Sequence, residues 1–316
     1  MRAYEMKTDN ALKQSLQSGT FTVTTEIGPP RHCGGDYIQQ QGRMLALCAD
    51  AINITDNQTA IARLSSLAGC VLLQAVGVDP VLQMTCRDRN RIALQSDVLG
   101  AASLGINTIL CLTGDHQKFG NHPEAKNVFD LDSIQLIAMI KAMRDEGKFL
   151  SGDEIKVKPD IFIGCAANPF ADPVELRVLR LEKKINAGAE FIQTQPVLEI
   201  DRFQTFMEMA AQRGLTDRAY VLAGIMPIKS ARMARYMQKN VPGMLVSESI
   251  CKQFERSTDI RQTAIDLAVE QIKIVKQISG VAGVHIMAVA WEEIIPEIVD
   301  RAGLYPRTRA VPRVAP

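Results

Sequence analysis

The chain has 316 residues, 47% of them hydrophobic and 22% charged, with a formal net charge of +1. That length supports one large core and exceeds most single domains, α/β barrels being the usual exception. Aromatics are scarce at 5% while aliphatics abound, which suits an α/β protein better than an all-β sandwich, and charges spread without a basic stripe argue against nucleic acid as a partner.

The first 20 residues carry charges, Gln and Ser without an apolar stretch, so they read as an N-terminal extension or helix and not as a secretory signal. Residues 21–28 are a strand run, followed by a helical pattern over 37–49. Strand 51–56 precedes a helix over 59–76, and strand 81–87 precedes a helix over 89–104. Strand 107–114 leads to a helix over 132–147, which opens at a plausible cap, Asp132, and stops at Gly147. After strand 160–166, Asp172-Pro173 supplies a cap and a first-turn proline for a helix ending near Gly188. Strand 190–195 is followed by a helix over 201–213, and strand 219–224 by a helix over 229–239. A long helical stretch, 247–278, precedes strand 283–289, and a helix over 291–302 closes the set. Residues 305–316, rich in Pro and Arg, read as a flexible tail.

The strand runs are nearly continuous in apolar residues, as strands buried on both faces should be. Repeated β–α units fold as an open doubly wound sheet or a closed barrel. The open sheet wants a glycine-rich phosphate turn after the first strand, where Glu26-Ile27-Gly28-Pro29-Pro30 stands instead. The reading is therefore a single-domain (β/α)8 TIM barrel over 21–304. The longest apolar runs, about eight residues, are far short of the roughly 20 that a membrane span needs, so no span and a cytoplasmic location are expected. The seven cysteines occur singly, several within apolar runs, and read as buried free thiols with no metal role.

Chemistry in such a barrel gathers where the strands end. Those ends offer Glu26; Thr55-Asp56-Asn57; Thr85-Cys86-Arg87-Asp88; Thr113-Gly114-Asp115-His116; Asn168; Thr194-Gln195; Gly224 to Pro227; and Trp291-Glu292-Glu293. Glu26 and Asp115, from different strands, suit one proton donor and one permanent anion. A barrel-bottom ion pair for Glu26 and a turn cap for Asp115 are the alternatives. Gln195 could present its amide to a heterocycle edge, and Lys183-Lys184, one turn after Arg180, could hold phosphate or simply form a solvated face.

Taken together these residues resemble the methylenetetrahydrofolate reductase family. The family's first-strand glutamate followed by a double proline is matched by Glu26 to Pro30, its Leu-Thr-Cys by Met84-Thr85-Cys86, and its Leu-Arg-Gly-Asp by Leu112-Thr113-Gly114-Asp115. The helix ending in Ala-Gly-Ala and the strand with Thr-Gln are matched by Ala187-Gly188-Ala189 and Thr194-Gln195, and the Gly-Ile-hydrophobic-Pro by Gly224 to Pro227. The matches run in order from about Val23 to Leu304, and the chain looks similar to the short microbial members that lack a regulatory domain. The departures are Ile27 and Gly28 for an aromatic pair, Asn168 for a tyrosine, Arg180 for a neutral polar group, and an eighth strand ending Ala288-Val289-Ala290-Trp291.

The resemblance implies a flavin, FAD with FMN as the alternative, reduced by NAD(P)H or by a protein electron donor. It implies reduction of 5,10-methylenetetrahydrofolate to 5-methyltetrahydrofolate by hydride transfer. Carried over residue by residue, Glu26 is the general acid for folate ring opening and Asp115 the anion near pterin and flavin. Gln195 and Thr85 contact the folate; Thr55, Ala166 and Asn168 lie beside the flavin; Lys184, with Lys183 and Arg180, holds its phosphate. The assembly it implies is a homo-oligomer or a hetero-complex with an electron-donating, zinc-bearing subunit. Two other readings stay open: a partner-dependent subunit inactive with NAD(P)H alone, and a pterin-dependent methyltransferase barrel.

Overall fold

A computed structural model describes residues 10–241 and 243–307. Eight parallel strands close in sequence order into a barrel: β1 Thr22–Ile27, β2 Ala51–Ile54, β3 Pro80–Thr85, β4 Thr108–Leu112, β5 Phe162–Ala167, β6 Phe191–Pro196, β7 Tyr220–Ile225 and β8 Val281–Ile286. All eight strand readings hold, as does the barrel. The closing pair, β1 with β8, aligns Thr22 with Gly283 and Thr24 with His285.

Alternation along the strands sorts the side chains into two cores. One set, including Val23, Ile52, Ile54, Met84, Ile109, Cys111, Ile163, Cys165, Ile192 and Ile286, packs outward in the main cluster with the helices. The other set points into the barrel and divides by height. Its lower layer is apolar: Ala51, Val81, Leu110, Phe162, Phe191 and Leu222 pack with Leu12 and Leu16 of helix α1, Ala11–Gln17. The rings of Phe162 and Phe191 stack at 5.0 Å, and Gly164 leaves room for Phe191, whose Cζ would lie 2.1 Å from an added Cβ. The upper layer is polar: Glu26, Asn53, Gln83, Gln193 and His285 are all buried. The floor of the barrel is thus a plugged core, and its mouth is a polar chamber.

The helices mostly follow the expected pattern, with α2 Asp36–Leu45, α3 Ser66–Gln74, α4 Arg91–Ser103, α5 Ser133–Lys141, α6 Val174–Ala187, α7 Ile200–Gln212, α8 Ala231–Asn240, α9 Glu248–Arg256, α10 Ile260–Val275 and α11 Ile295–Arg301. Asp132 caps α5 in a full capping box with Gln135.

Four expectations need correction. The helix expected from residue 59 begins only at Ser66, because Ser65 adopts an extended backbone and caps it by accepting from the Ala68 N–H. The stretch 247–278 is two helices, since Ser257 is extended and Asp259 caps α10. Pro173, not Asp172, takes the cap position of α6, and no side chain caps it. The tail is not loose from its start: Arg307 is buried, pairs with Asp50 at 2.7 Å, and donates to the Phe21 carbonyl at 2.9 Å. The rest of that tail, 308–316, and most of the N-terminal extension lie outside the described residues.

Candidate functional site at the barrel mouth

A cavity of about 430 Å3 opens at the C-terminal ends of the strands. That volume is within the range of small-molecule and cofactor pockets. Glu26, Gln83, Gln193 and His285 form its polar depth, and Thr85, Asp115, Ala166 and Gln195 line it from four strand ends. Met226, Met244 and Met287 supply the apolar wall, with Leu110 and Leu112; among the described residues no Phe, Tyr or Trp lines the cavity.

Glu26 is 9% exposed and therefore lies deep. Its Oε2 accepts from the Gln83 amide at 3.4 Å and stands 3.7 Å from Nε2 of His285. The opposite nitrogen of His285 is 3.0 Å from Oγ1 of Thr24. Beside them Asn53 and Gln193 exchange amide hydrogen bonds at 2.7 and 3.1 Å, and Gln193 donates also to Thr24 at 3.2 Å. These bonds satisfy the buried polar groups and hold the glutamate in one place. Glu26 is thus not a barrel-bottom residue. Behind it, burial pushes the carboxyl of Glu292 up, and the charges of Glu293 and Glu26 add to the rise.

Asp115 follows β4 and stands at the rim. It is exposed, so the anion expected near the pterin and flavin is hydrated here, and only a bound ligand could strip its water. Gly114, at φ +91°, allows the sharp turn that leads into it.

Asp56 and Arg89 brace this side of the mouth. The Asp56 carboxylate accepts from the Thr85 N–H and hydroxyl, both at 2.8 Å, and pairs with Arg89. Between them, Asn57, Thr59 and Ala60 adopt positive φ of 43°, 60° and 56°. Left-handed backbone costs residues with a Cβ about 1–2 kcal/mol each, so surrounding contacts must hold this turn. Gly120 presses against it so closely that an added Cβ would lie 1.9 Å from the Ala60 carbonyl oxygen.

The remaining expected contacts are more scattered. Thr55 is buried beside Gly28, outside the cavity lining, and its Oγ1 has no partner among the described residues. Asn168 accepts from the Phe170 N–H at 2.9 Å and packs against Gly243, outside the cavity lining. Lys184 is buried and donates to the Ala166 carbonyl at 2.6 Å, while Arg180 and Lys183 are exposed on α6. Sequence reasoning missed Gln83, Gln193 and His285; each is a polar residue inside an apolar buried strand, and that was the available signal. Cys33 also corrects the thiol expectation, being exposed while the other six cysteines are buried.

The family model for methylenetetrahydrofolate reductase matches residues 11–303. The chain belongs to the methylenetetrahydrofolate reductase family. It is 25% identical to a probable NADPH methylenetetrahydrofolate reductase of Caenorhabditis elegans, over 89% of this chain and 42% of that one. With methylenetetrahydrofolate reductase 2 of Saccharomyces cerevisiae it shares 25% identity over 95% of this chain and 50% of the other. It therefore spans half or less of the length of these eukaryotic relatives. The 5,10-methylenetetrahydrofolate reductase of Salmonella typhimurium is 21% identical, over 94% of this chain and 96% of its own. Among solved structures, an uncharacterized protein from Clostridium thermocellum that binds two copies of 5-methyl-5,6,7,8-tetrahydrofolic acid shares the fold, with a TM-score of 0.63 at 14% identity over 94% of this chain and 98% of the other. Among the described residues no helix is long and apolar enough to cross a membrane, and no cluster of His, Cys, Asp or Glu is arranged to hold a metal ion.

Proposed function

We propose that this chain is a methylenetetrahydrofolate reductase, converting 5,10-methylenetetrahydrofolate to 5-methyltetrahydrofolate at the barrel mouth. The observation that carries the reading is that Glu26 from β1 and Asp115 from the end of β4 line one cavity of ligand size. Family membership and the folate ligand named for the Clostridium thermocellum protein support the substrate class. A flavin, FAD or FMN, bound across the mouth would supply the hydride. Two groups retain hydrogen-bonding capacity for it: the Thr55 hydroxyl, buried with no partner among the described residues, and the Lys184 ammonium, which spends one of its three N–H donors on Ala166; neither lines the cavity itself, and Arg180 and Lys183 stand exposed on the helix of Lys184. Ala166 would border the ring system, whereas Asn168, outside the cavity lining, would not reach it without movement.

Glu26 acts first. Held by Gln83 in the buried depth of the cavity, its carboxyl delivers a proton to N10 of the folate, so that the bond from N10 to the methylene carbon breaks. The product is a 5-iminium cation, the hydride acceptor. Asp115 supplies the opposing charge. At about 4 Å such a pair is worth about 1 kcal/mol in water and about 4 kcal/mol at an effective dielectric near 20, so closure of the rim by the ligand strengthens its effect. Gln195 and Thr85 hold the pterin edge with hydrogen bonds. Glu26→Gln is expected to abolish folate-dependent reoxidation of reduced flavin while leaving flavin bound; retained turnover would remove Glu26 as the acid.

A second reading concerns the electron donor. With methionines and, among the described residues, no Phe, Tyr or Trp lining the mouth, the cavity wall offers no large ring on which nicotinamide could stack, which favours a protein donor within a hetero-complex over NAD(P)H and a homo-oligomer. Activity of the isolated chain with an artificial donor but not with NADH is the expected result; full activity with NADH would reject it.

A further inference from the structure

The loops after β2, β3 and β4 meet on one side of the cavity, and a single guanidinium joins them. Arg87 follows β3, and its side chain is only 3% exposed. Its Nε and Nη2 donate to the two carboxylate oxygens of Asp88 at 2.8 and 2.7 Å, a fork that fixes the plane of the group. Nη2 also donates to the Asn57 carbonyl at 3.1 Å, and Nη1 to the Asp115 carbonyl at 3.2 Å. Asn57 closes the ring by donating from its amide to Asp88 at 3.3 Å.

Both joined loops need such a strut. The β2 loop carries the three left-handed residues, and its Asn57 to Thr59 stretch lines the cavity. The β4 end packs on β3 without slack, since an added Cβ on Gly114 would lie 3.1 Å from the Cβ atoms of Arg87 and Thr85. Thr113, directly before this Gly-Asp, turns its hydroxyl away to accept from the Ser133 N–H at 3.3 Å, so the guanidinium that reaches the Asp115 backbone comes from the neighbouring strand.

We propose that Arg87, although it also lines the cavity, is a positioning residue that sets how far the Asp115 carboxylate reaches into the mouth, acting through the Asp115 backbone. This rests on the reading of Asp115 as the anion opposite the folate cation. Lysine cannot replace it, because a point charge cannot span a carboxylate and two carbonyls in one plane.

The test is a double-mutant cycle on the full chain, R87Q and D115N singly and together, read as the rate at which methylenetetrahydrofolate reoxidises reduced flavin. A misplacement of about 1 Å costs on the order of 10²-fold in such a step, so R87Q is expected to slow it by roughly 10–100-fold. R87K should recover only a small part. In the D115N background the same change should cost less than about threefold, because Arg87 acts through a group already removed. A full multiplicative loss in the double variant, or an R87Q rate equal to wild type, overturns the proposal. If R87Q does not fold, R87K serves in the same cycle. A crystal structure of R87K gives a readout without catalysis: the Asp115 backbone should shift by about 1 Å, and an unmoved Asp115 overturns the proposal even if the folate reaction itself is never observed. A wild-type chain with no folate reaction refutes the function proposed above and leaves this structural test standing.

Discussion

Replacing Asp56 with alanine is expected to lower stability by about 3–4 kcal/mol, because removing one member of a buried ion pair costs about 3–5 kcal/mol. The carboxylate is the common acceptor for the Thr85 backbone N–H and hydroxyl and the partner of Arg89. Two features pull the loss toward the low end. Arg89 keeps Asp97 at 3.4 Å, and its side chain is 18% exposed, so its charge is not stranded. Against that, the Thr85 N–H loses its acceptor in a buried place, and a buried orphan donor costs about 1–3 kcal/mol. At about 2 °C per kcal/mol for a domain of this size, the midpoint of thermal unfolding should fall by roughly 6–8 °C. Asp56→Asn preserves an acceptor for Thr85 and should lose about half as much. Calorimetry of the three proteins at neutral pH measures both steps. A midpoint for Asp56→Ala within about 2 °C of wild type would show that this network does not hold the mouth, and the reasoning from buried acceptors would fail.

Two further outcomes follow from the thiols and the carboxylates. Under native, mildly alkaline conditions a thiol reagent should react quickly with Cys33 alone, since burial pushes the thiol of Cys86 up to about 12 and that of Cys165 up to about 11, and raises Cys70, Cys111 and Cys251 as well. Cys33→Ser should remove the fast phase; a second fast thiol would contradict the burial. In acid, hydrogen bonds from Arg91, Arg144 and Arg235 hold Asp130, Asp145 and Glu248 at about 2, below ordinary values of 3.8 and 4.5. Depressed folded values mean that these pairs contribute fully above the ordinary carboxylate range, and that the contribution is lost as pH falls from about 4 toward 2. Being exposed, they should also contribute less at high salt. Thermal midpoints measured across that interval should decline, and a flat profile would remove these pairs from the account.

Most of the fold was legible because strands covered on both faces leave a simple trace: short, nearly unbroken aliphatic runs separated by amphipathic stretches. What escaped was local. Ser65 and Asp259 interrupt helical patterns by capping, and a serine or aspartate in a periodic stretch looks the same whether it caps or merely faces water. Of the residues that line the cavity, Glu26, Asp115, Thr85 and Gln195 were legible because they sit at strand ends, whereas Ala166 came only through the family resemblance. Gln83, Gln193 and His285 were passed over because they interrupt runs read only for apolar content. The bracing by Asp56, Arg87 and Arg89 could not be read at all, since it joins three loops that are adjacent only after the barrel closes.

The central claim is that one cavity brings a flavin and a folate together over Glu26. Its most direct test is the anaerobic absorption spectrum of the purified chain, reduced with an artificial donor and then mixed with 5,10-methylenetetrahydrofolate. The account predicts that the spectrum of oxidised flavin returns and that one 5-methyltetrahydrofolate forms for each flavin reoxidised. A protein that binds no flavin, or whose reduced flavin stays reduced in the presence of the folate, would contradict it.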